Sequence, residues 1–143
     1  MADLRVTGLD ELMLSMQDIA ALPDEVQDDM LNAAADVIVS AQKAKIRAYG
    51  IYDGKSTKHV ADSIKKGRVK FKKGQRILYV SPTGSRKRGN TVTRNAEILF
   101  VNEYGKRNQK ARPAVRDANE EAMDAAVQAQ ADVLDRFYKS KNL

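Results

Sequence analysis

Residues 24–48 read DEVQDDMLNAAADVIVSAQKAKIRA, and the fold is decided by how this stretch is read. Neither glycine nor proline interrupts it. Val26, Met30, Ala33, Ala34, Val37, Ala41, Ala44 and Ala48 recur at the spacing of one helical face. The reading is a helix over 24–48, about seven turns long. Pro23 suits its start, where a missing N–H costs nothing. Asp24, Glu25, Asp28 and Asp29 place negative charge at the N-terminal end of the dipole, and Lys43, Lys45 and Arg47 place positive charge at the other. Gly50 is the expected stop.

Upstream, Gly8-Leu9-Asp10-Glu11-Leu12 opens a short first helix whose apolar face is Leu9, Leu12, Met13, Met16 and Ile19. Downstream, the period changes. Arg68-Val69-Lys70-Phe71-Lys72 alternates, Lys73-Gly74 makes a turn, and Arg76-Ile77-Leu78-Tyr79-Val80 follows as a second strand. Residues 81–95 form a very basic loop around Arg86, Lys87 and Arg88, with Thr91-Val92-Thr93 as a candidate third strand. Residues 95–104 fit a buried strand or a short helix equally, because periodicity does not separate the two over so short a run. A polar loop from Gly105 to Arg112 leads to Pro113 and a last helix. Its face is Val115, Ala118, Ala122, Ala126, Ala129, Val133 and Phe137, and Lys139 to Leu143 is a frayed tail. The expected fold is α+β: a single domain over residues 1–143 in which the long N-terminal and C-terminal helices pack on each other and on a small antiparallel sheet.

Charge is segregated along the chain. Residues 1–42 carry nine acids and one base, residues 43–116 twenty-one bases and four acids, and residues 117–143 six acids and three bases. A basic centre of this size suits nucleic acid or the acidic ends of a neighbouring copy. The 143 residues suffice for one core. There is no cysteine, no apolar run long enough to span a membrane and no signal-peptide pattern at Met1. These features lead to the expectation of a protein made and used in the cytoplasm.

Little in the chain suggests catalysis. His59 is the one histidine, without a second metal ligand at a recognisable spacing. No serine sits in a nucleophile elbow, and Lys106-Arg107-Asn108-Gln109-Lys110 lacks the glycines of a phosphate loop. Glu97 and Glu103 read as counter-charges to nearby Arg and Lys. Arg86, Lys87 and Arg88 are candidates for contact with phosphates or a protein partner, without an aromatic platform for reading bases. The expectation is a protein that is not an enzyme and needs no cofactor or metal.

Three stretches resemble the tail-completion (head–tail joining) proteins in the neck of tailed bacteriophages. Gly8-Leu9-Asp10-Glu11-Leu12, followed by Leu22-Pro23 and a long alanine-bearing helix, looks like the family's opening. Thr57-Lys58-His59-Val60-Ala61-Asp62-Ser63-Ile64 is similar to its Thr-Gly-x-Leu-x-x-Ser-Ile segment, matching at Thr57, Ser63 and Ile64 and departing at Lys58. Phe100-Val101-Asn102-Glu103-Tyr104-Gly105, then Ala111-Arg112-Pro113-Ala114-Val115-Arg116, resembles its aromatic-Val-x-Glu-aromatic-Gly and Ala-Arg-Pro-Phe-Leu-Arg elements, departing at Ala114. Glu103, Gly105, Arg112 and Pro113 are the structural residues this resemblance points to, with Glu103 and Arg112 expected to pair across the turn. The resemblance implies a virion protein assembled in the host cytoplasm. It would form a homo-oligomeric ring, a hexamer, at the neck, around the DNA channel. Its implied partners are the head connector or stopper, the tail terminator or tail-tube proteins and, non-specifically, the genomic DNA, with no membrane. The competing expectation is a small basic DNA-binding protein.

Overall fold

The structure is a computed structural model that describes residues 22–51 and 58–141, with Arg88 described by its backbone alone. The first helix expected from Gly8, and Thr57, lie outside the described residues. Helix α1 spans Asp24–Ala48, as its capping signals require. A 3-10 turn, Val60–Ser63, leads into strands β1 (Ile64–Lys66), β2 (Lys70–Lys72), β3 (Gln75–Ile77), β4 (Val80–Pro82), β5 (Ser85–Arg88) and β6 (Thr91–Arg94). Helices α2 (Asn95–Tyr104) and α3 (Ala114–Ser140) complete the chain.

The fold is α+β, and its body is the antiparallel pair α1 and α3, the most extensive contact between elements. On α3 the expected alanine face is buried at Ala118, Ala122 and Ala126, and Ala114, outside that face as predicted, is buried with them. Small side chains let the axes approach to the near end of the usual range of about 8–10 Å. On α1 the buried face is rotated from the expected one along part of the helix. Met30 is buried on the expected face, but from Ala35 onward the buried positions are Ala35, Gln42 and Ile46 on another side, while Ala44 and Ala48 are exposed. Alanine is nearly indifferent to burial, so the larger Ile46 sets the phase there. Gln42 tolerates burial because its amide donates to Asn119 Oδ1 on α3 at 2.8 Å. At the C-terminal end of α1, Lys45 pairs with Glu121, and the Tyr49 hydroxyl donates to Asp117.

The main core gathers Ile46, Ile51, Val60, Ala61, Ile64, Leu99 and Ala114, where the end of α1 meets the 3-10 turn, α2 and the start of α3. Full burial of each larger side chain stabilises the fold by about 1.5–3 kcal/mol. His59 opens the 3-10 turn, its Nδ1 accepting from the Ala61 N–H at 3.0 Å. The buried Ser63 Oγ donates to the Val60 carbonyl at 2.6 Å. The Ser63 carbonyl accepts from the Thr83 N–H at 2.8 Å and from its hydroxyl at 2.9 Å, which pins β4 beside the turn.

In place of one sheet there are three separate two-stranded antiparallel ladders: β1–β4, β2–β3 and β5–β6. The β2–β3 hairpin is the expected one. It aligns Lys70 with Ile77 and turns at Lys73 and Gly74, both at positive φ, as a two-residue primed turn requires. The strand expected over 76–80 is divided. Gln75–Ile77 stays with β2, and Val80–Pro82 crosses to pair with Ile64–Lys66. Within the basic loop expected over 81–95, residues 85–94 form the β5–β6 hairpin, with Ser85 opposite Arg94, and the candidate third strand Thr91-Val92-Thr93 is part of β6. Strand β5, Ser85–Arg88, has no apolar residue to alternate with its polar ones, so periodicity gave no signal there. Residues 95–104 are helical, with Asn95, Leu99 and Asn102 buried at i, i+4 and i+7. Two of those three are polar, which hid the helical period. The frayed tail expected from Lys139 is helical to Ser140, and Lys139 bonds Asp135 one turn back at 2.9 Å.

Candidate functional site

The residues of the third motif form one joint between α2 and α3. Gly105 closes α2 at φ +77°, its N–H donating to the Val101 carbonyl at 2.8 Å. The chain then reverses through a bridge between Lys106 and Gln109. A Cβ on Gly105 would stand 2.8 Å from the Gln109 carbonyl oxygen and 2.9 Å from the Ala111 nitrogen, so the turn is closed on a position only glycine fits.

The expected pairing of Glu103 with Arg112 does not form; each side chain has separate work. Glu103 caps α3, accepting from the Val115 N–H and, at 3.3 Å, from the Arg116 N–H. These donors have no partner inside the helix, and a carboxylate there also meets the positive end of the dipole. Pro113 precedes the first turn of α3 and lacks an N–H to satisfy. Arg112 reaches the other way. It donates to Asn102 Oδ1 at 2.7 Å and to the carbonyls of Tyr49 and Gly50 at 3.3 and 3.4 Å. Asn102 also accepts from Gln109 at 3.0 Å and donates to the Ile98 carbonyl at 2.8 Å. One guanidinium thus ties the end of α1, α2 and the approach to α3 together. Nearby, the Tyr49 hydrogen bond, with Arg116 adding to it, holds the Asp117 carboxyl below the usual carboxylate range, and that same bond raises the Tyr49 hydroxyl.

The joint displays an aromatic pair. Phe100 and Tyr104 lie one turn apart on α2 with ring centroids 4.8 Å apart, and they are 63% and 74% exposed. The sequence marked both as motif positions; their exposure depends on which face of α2 the core takes.

The basic residues separate into anchored and projecting ones. Arg86 is half-buried and donates to Asn95 Oδ1 at 2.8 Å and to the Lys58 carbonyl at 3.1 Å, so it braces the β5–β6 hairpin. Lys87 is exposed, and the Arg88 side chain is outside the description. Sequence reasoning missed the β2–β3 hairpin as a surface. Lys70, Lys72 and Lys73 are exposed there, without a carboxylate partner among the described residues, around a Phe71 that is 68% exposed. The signal was present in the alternation of lysine with an aromatic. Arg76 fastens this hairpin to α1 through Asp28 at 2.7 Å and Asp24 at 3.5 Å, and the Asp28 hydrogen bond raises the guanidinium further. Lys66 bonds Asp36 at 2.8 Å. Part of the acid–base complementarity seen along the chain is therefore used within one molecule.

Among the described residues no group of three or more His, Cys, Asp or Glu is placed to hold a metal ion, and no helix is long and apolar enough to cross a membrane. No family model, curated protein or solved structure matches the chain.

Proposed function

We propose that this chain is a structural virion protein of a tailed bacteriophage. It acts as a subunit of a ring at the neck, where the tail is joined to the head connector around the DNA channel. The observation that carries the reading is the joint. Glu103, Gly105 and Arg112, singled out by the resemblance, have three different and mutually dependent tasks in one turn. Ser63 and Ile64 of the second motif likewise hold buried positions. A stiff antiparallel helix pair makes the body, and the basic hairpins are the parts suited to face DNA or an adjoining ring. The partners are further copies of the chain, the connector or stopper, and the tail terminator or tube. No residue is assigned a catalytic role. Electron microscopy of particles with the protein labelled is the test: density at the neck is expected, and a location away from the neck and tail overturns the reading.

The second reading is a small DNA-binding protein, and the β2–β3 tip with Lys70, Phe71, Lys72 and Lys73 favours it. Duplex binding by the isolated protein across a salt series separates the two. Tight binding that weakens steeply with salt supports the second reading; a neck ring need only let DNA pass.

A further inference from the structure

Helix α3 has two apolar faces, and the second of them points to solvent. Ala118, Ala122 and Ala126 are buried against α1. Met123 and Val127, one turn apart, are 56% and 57% exposed. At 100° per residue Leu134 lies on the same side, partly exposed. Glu120 and Asp124 flank this stripe, exposed and without an ion-pair partner among the described residues.

The outer face of α2 is its counterpart in size and its opposite in charge. Phe100 and Tyr104 also span one turn. The basic residues Lys106 and Arg107 follow them, exposed and without a carboxylate partner among the described residues. The two patches are well separated within one molecule. The joint meets α3 at Val115, and the stripe from Met123 to Val127 lies about 12–18 Å further along the helix at about 1.5 Å per residue.

We infer that the Phe100–Tyr104 face of one copy docks on the Met123–Val127 face of the next. Aromatic rings against a methionine and a valine bury apolar surface and allow a sulfur–aromatic contact. The basic rim meets the acidic one, which sets orientation. Each copy uses one face and leaves the other open, so the contact is heterologous and propagates until the rotation closes it into a ring. In naming a second copy as the occupant, the inference rests on the ring reading.

The chain has no cysteine, which makes the test direct. Tyr104→Cys and Val127→Cys are placed in one chain and treated with a short bis-maleimide. Both positions are more than half exposed, so the fold is retained. Phe100→Cys with Met123→Cys is a second pair should melting show otherwise. The double variant is expected to give a ladder of dimers, trimers and larger species that shrinks at high salt. Each single variant alone stays monomeric, and a mixture of the two singles stops at the dimer. Efficient dimers from one single variant alone indicate like-to-like contact and overturn the inference. A lysine-reactive cross-linker is run in parallel. Multimers with it and no maleimide ladder overturn the face pairing while the ring reading stands. No multimer with either reagent overturns the inference, and the neck reading is then judged by the protein's place in the particle.

Discussion

Replacing Gly105 with alanine tests the joint. Gly105 sits at φ +77° and ψ 178°, in a region essentially closed to side-chain-bearing residues, where occupancy costs about 1–3 kcal/mol. The new methyl would also meet backbone atoms at 2.8 and 2.9 Å. Those atoms cannot swing aside as a side-chain tip does. The Lys106–Gln109 bridge and the Arg112 N–H bond to the Asn102 carbonyl hold that segment. Forcing it open costs about 1–3 kcal/mol more, by analogy with overpacked cores. The total is about 2–6 kcal/mol, which lowers a urea midpoint by about 1–3 M for a slope of about 2 kcal/mol/M. Gly74 provides the control. Its φ is +76°, and nothing lies within 4 Å of an added Cβ, so Gly74→Ala carries only the backbone cost of about 1–2 kcal/mol. Urea denaturation of both variants gives the comparison. Equal midpoints would refute the argument that the closed turn, and not the φ angle alone, reserves position 105 for glycine.

Three further expectations concern other parts of the molecule. Ala126→Leu should overpack the α1–α3 contact and cost about 1–3 kcal/mol. Ala122→Leu should cost clearly less, because Ala122 borders an open groove of about 310 Å³ beside Ala41 and Ala44; equal losses in denaturation would contradict the packing described. Arg86→Ala should destabilise by about 1–2 kcal/mol, since it leaves Asn95 and the Lys58 carbonyl short of a donor. Lys87→Ala should stay within about 0.5 kcal/mol, and melting curves in the opposite order would mean Arg86 is no brace. Asp62, bonded by Arg47, and Asp117, bonded by Tyr49, both have carboxyl pKa values below the ordinary range. Their folded values lie below the unfolded value of about 3.9, so their contribution is present above that value and is lost as pH falls through the folded ones. Urea midpoints should drop on acidification below about pH 4, and Asp62→Asn with Asp117→Asn should flatten that part of the profile; an unchanged acid slope would show that these two bonds contribute nothing.

The sequence by itself determined the elements whose signals are local. Pro23, the paired acids and Gly50 mark both ends of α1, and the alanine period of α3 names its buried face. Lys73-Gly74 between alternating residues specifies the β2–β3 hairpin. With the helical stripes, these were enough for the α+β class. Only the tertiary structure decided which alternatives were taken where local signals were silent. Alanine is cheap on either side of a helix, so the phase of the second half of α1 waited on Ile46 finding neighbours. Val80 leaves its predicted strand because Ile64–Lys66 offers it an open edge, which aligns Val80 with Lys66, fourteen residues earlier, and Pro82 with Ile64. Gln42, Asn95 and Asn102 are polar by composition yet buried, each satisfied by hydrogen bonds from elements distant in sequence or by the local backbone. Of the candidate site, the sequence named Glu103, Gly105 and Arg112, but their proximity along the chain suggested a pair where the fold makes a helix cap and a three-way tie. The reason is common to all of these cases. Propensity and periodicity act over a turn or a strand, whereas the choice of partner for a buried polar group, or for an exposed apolar one, depends on what folding brings beside it.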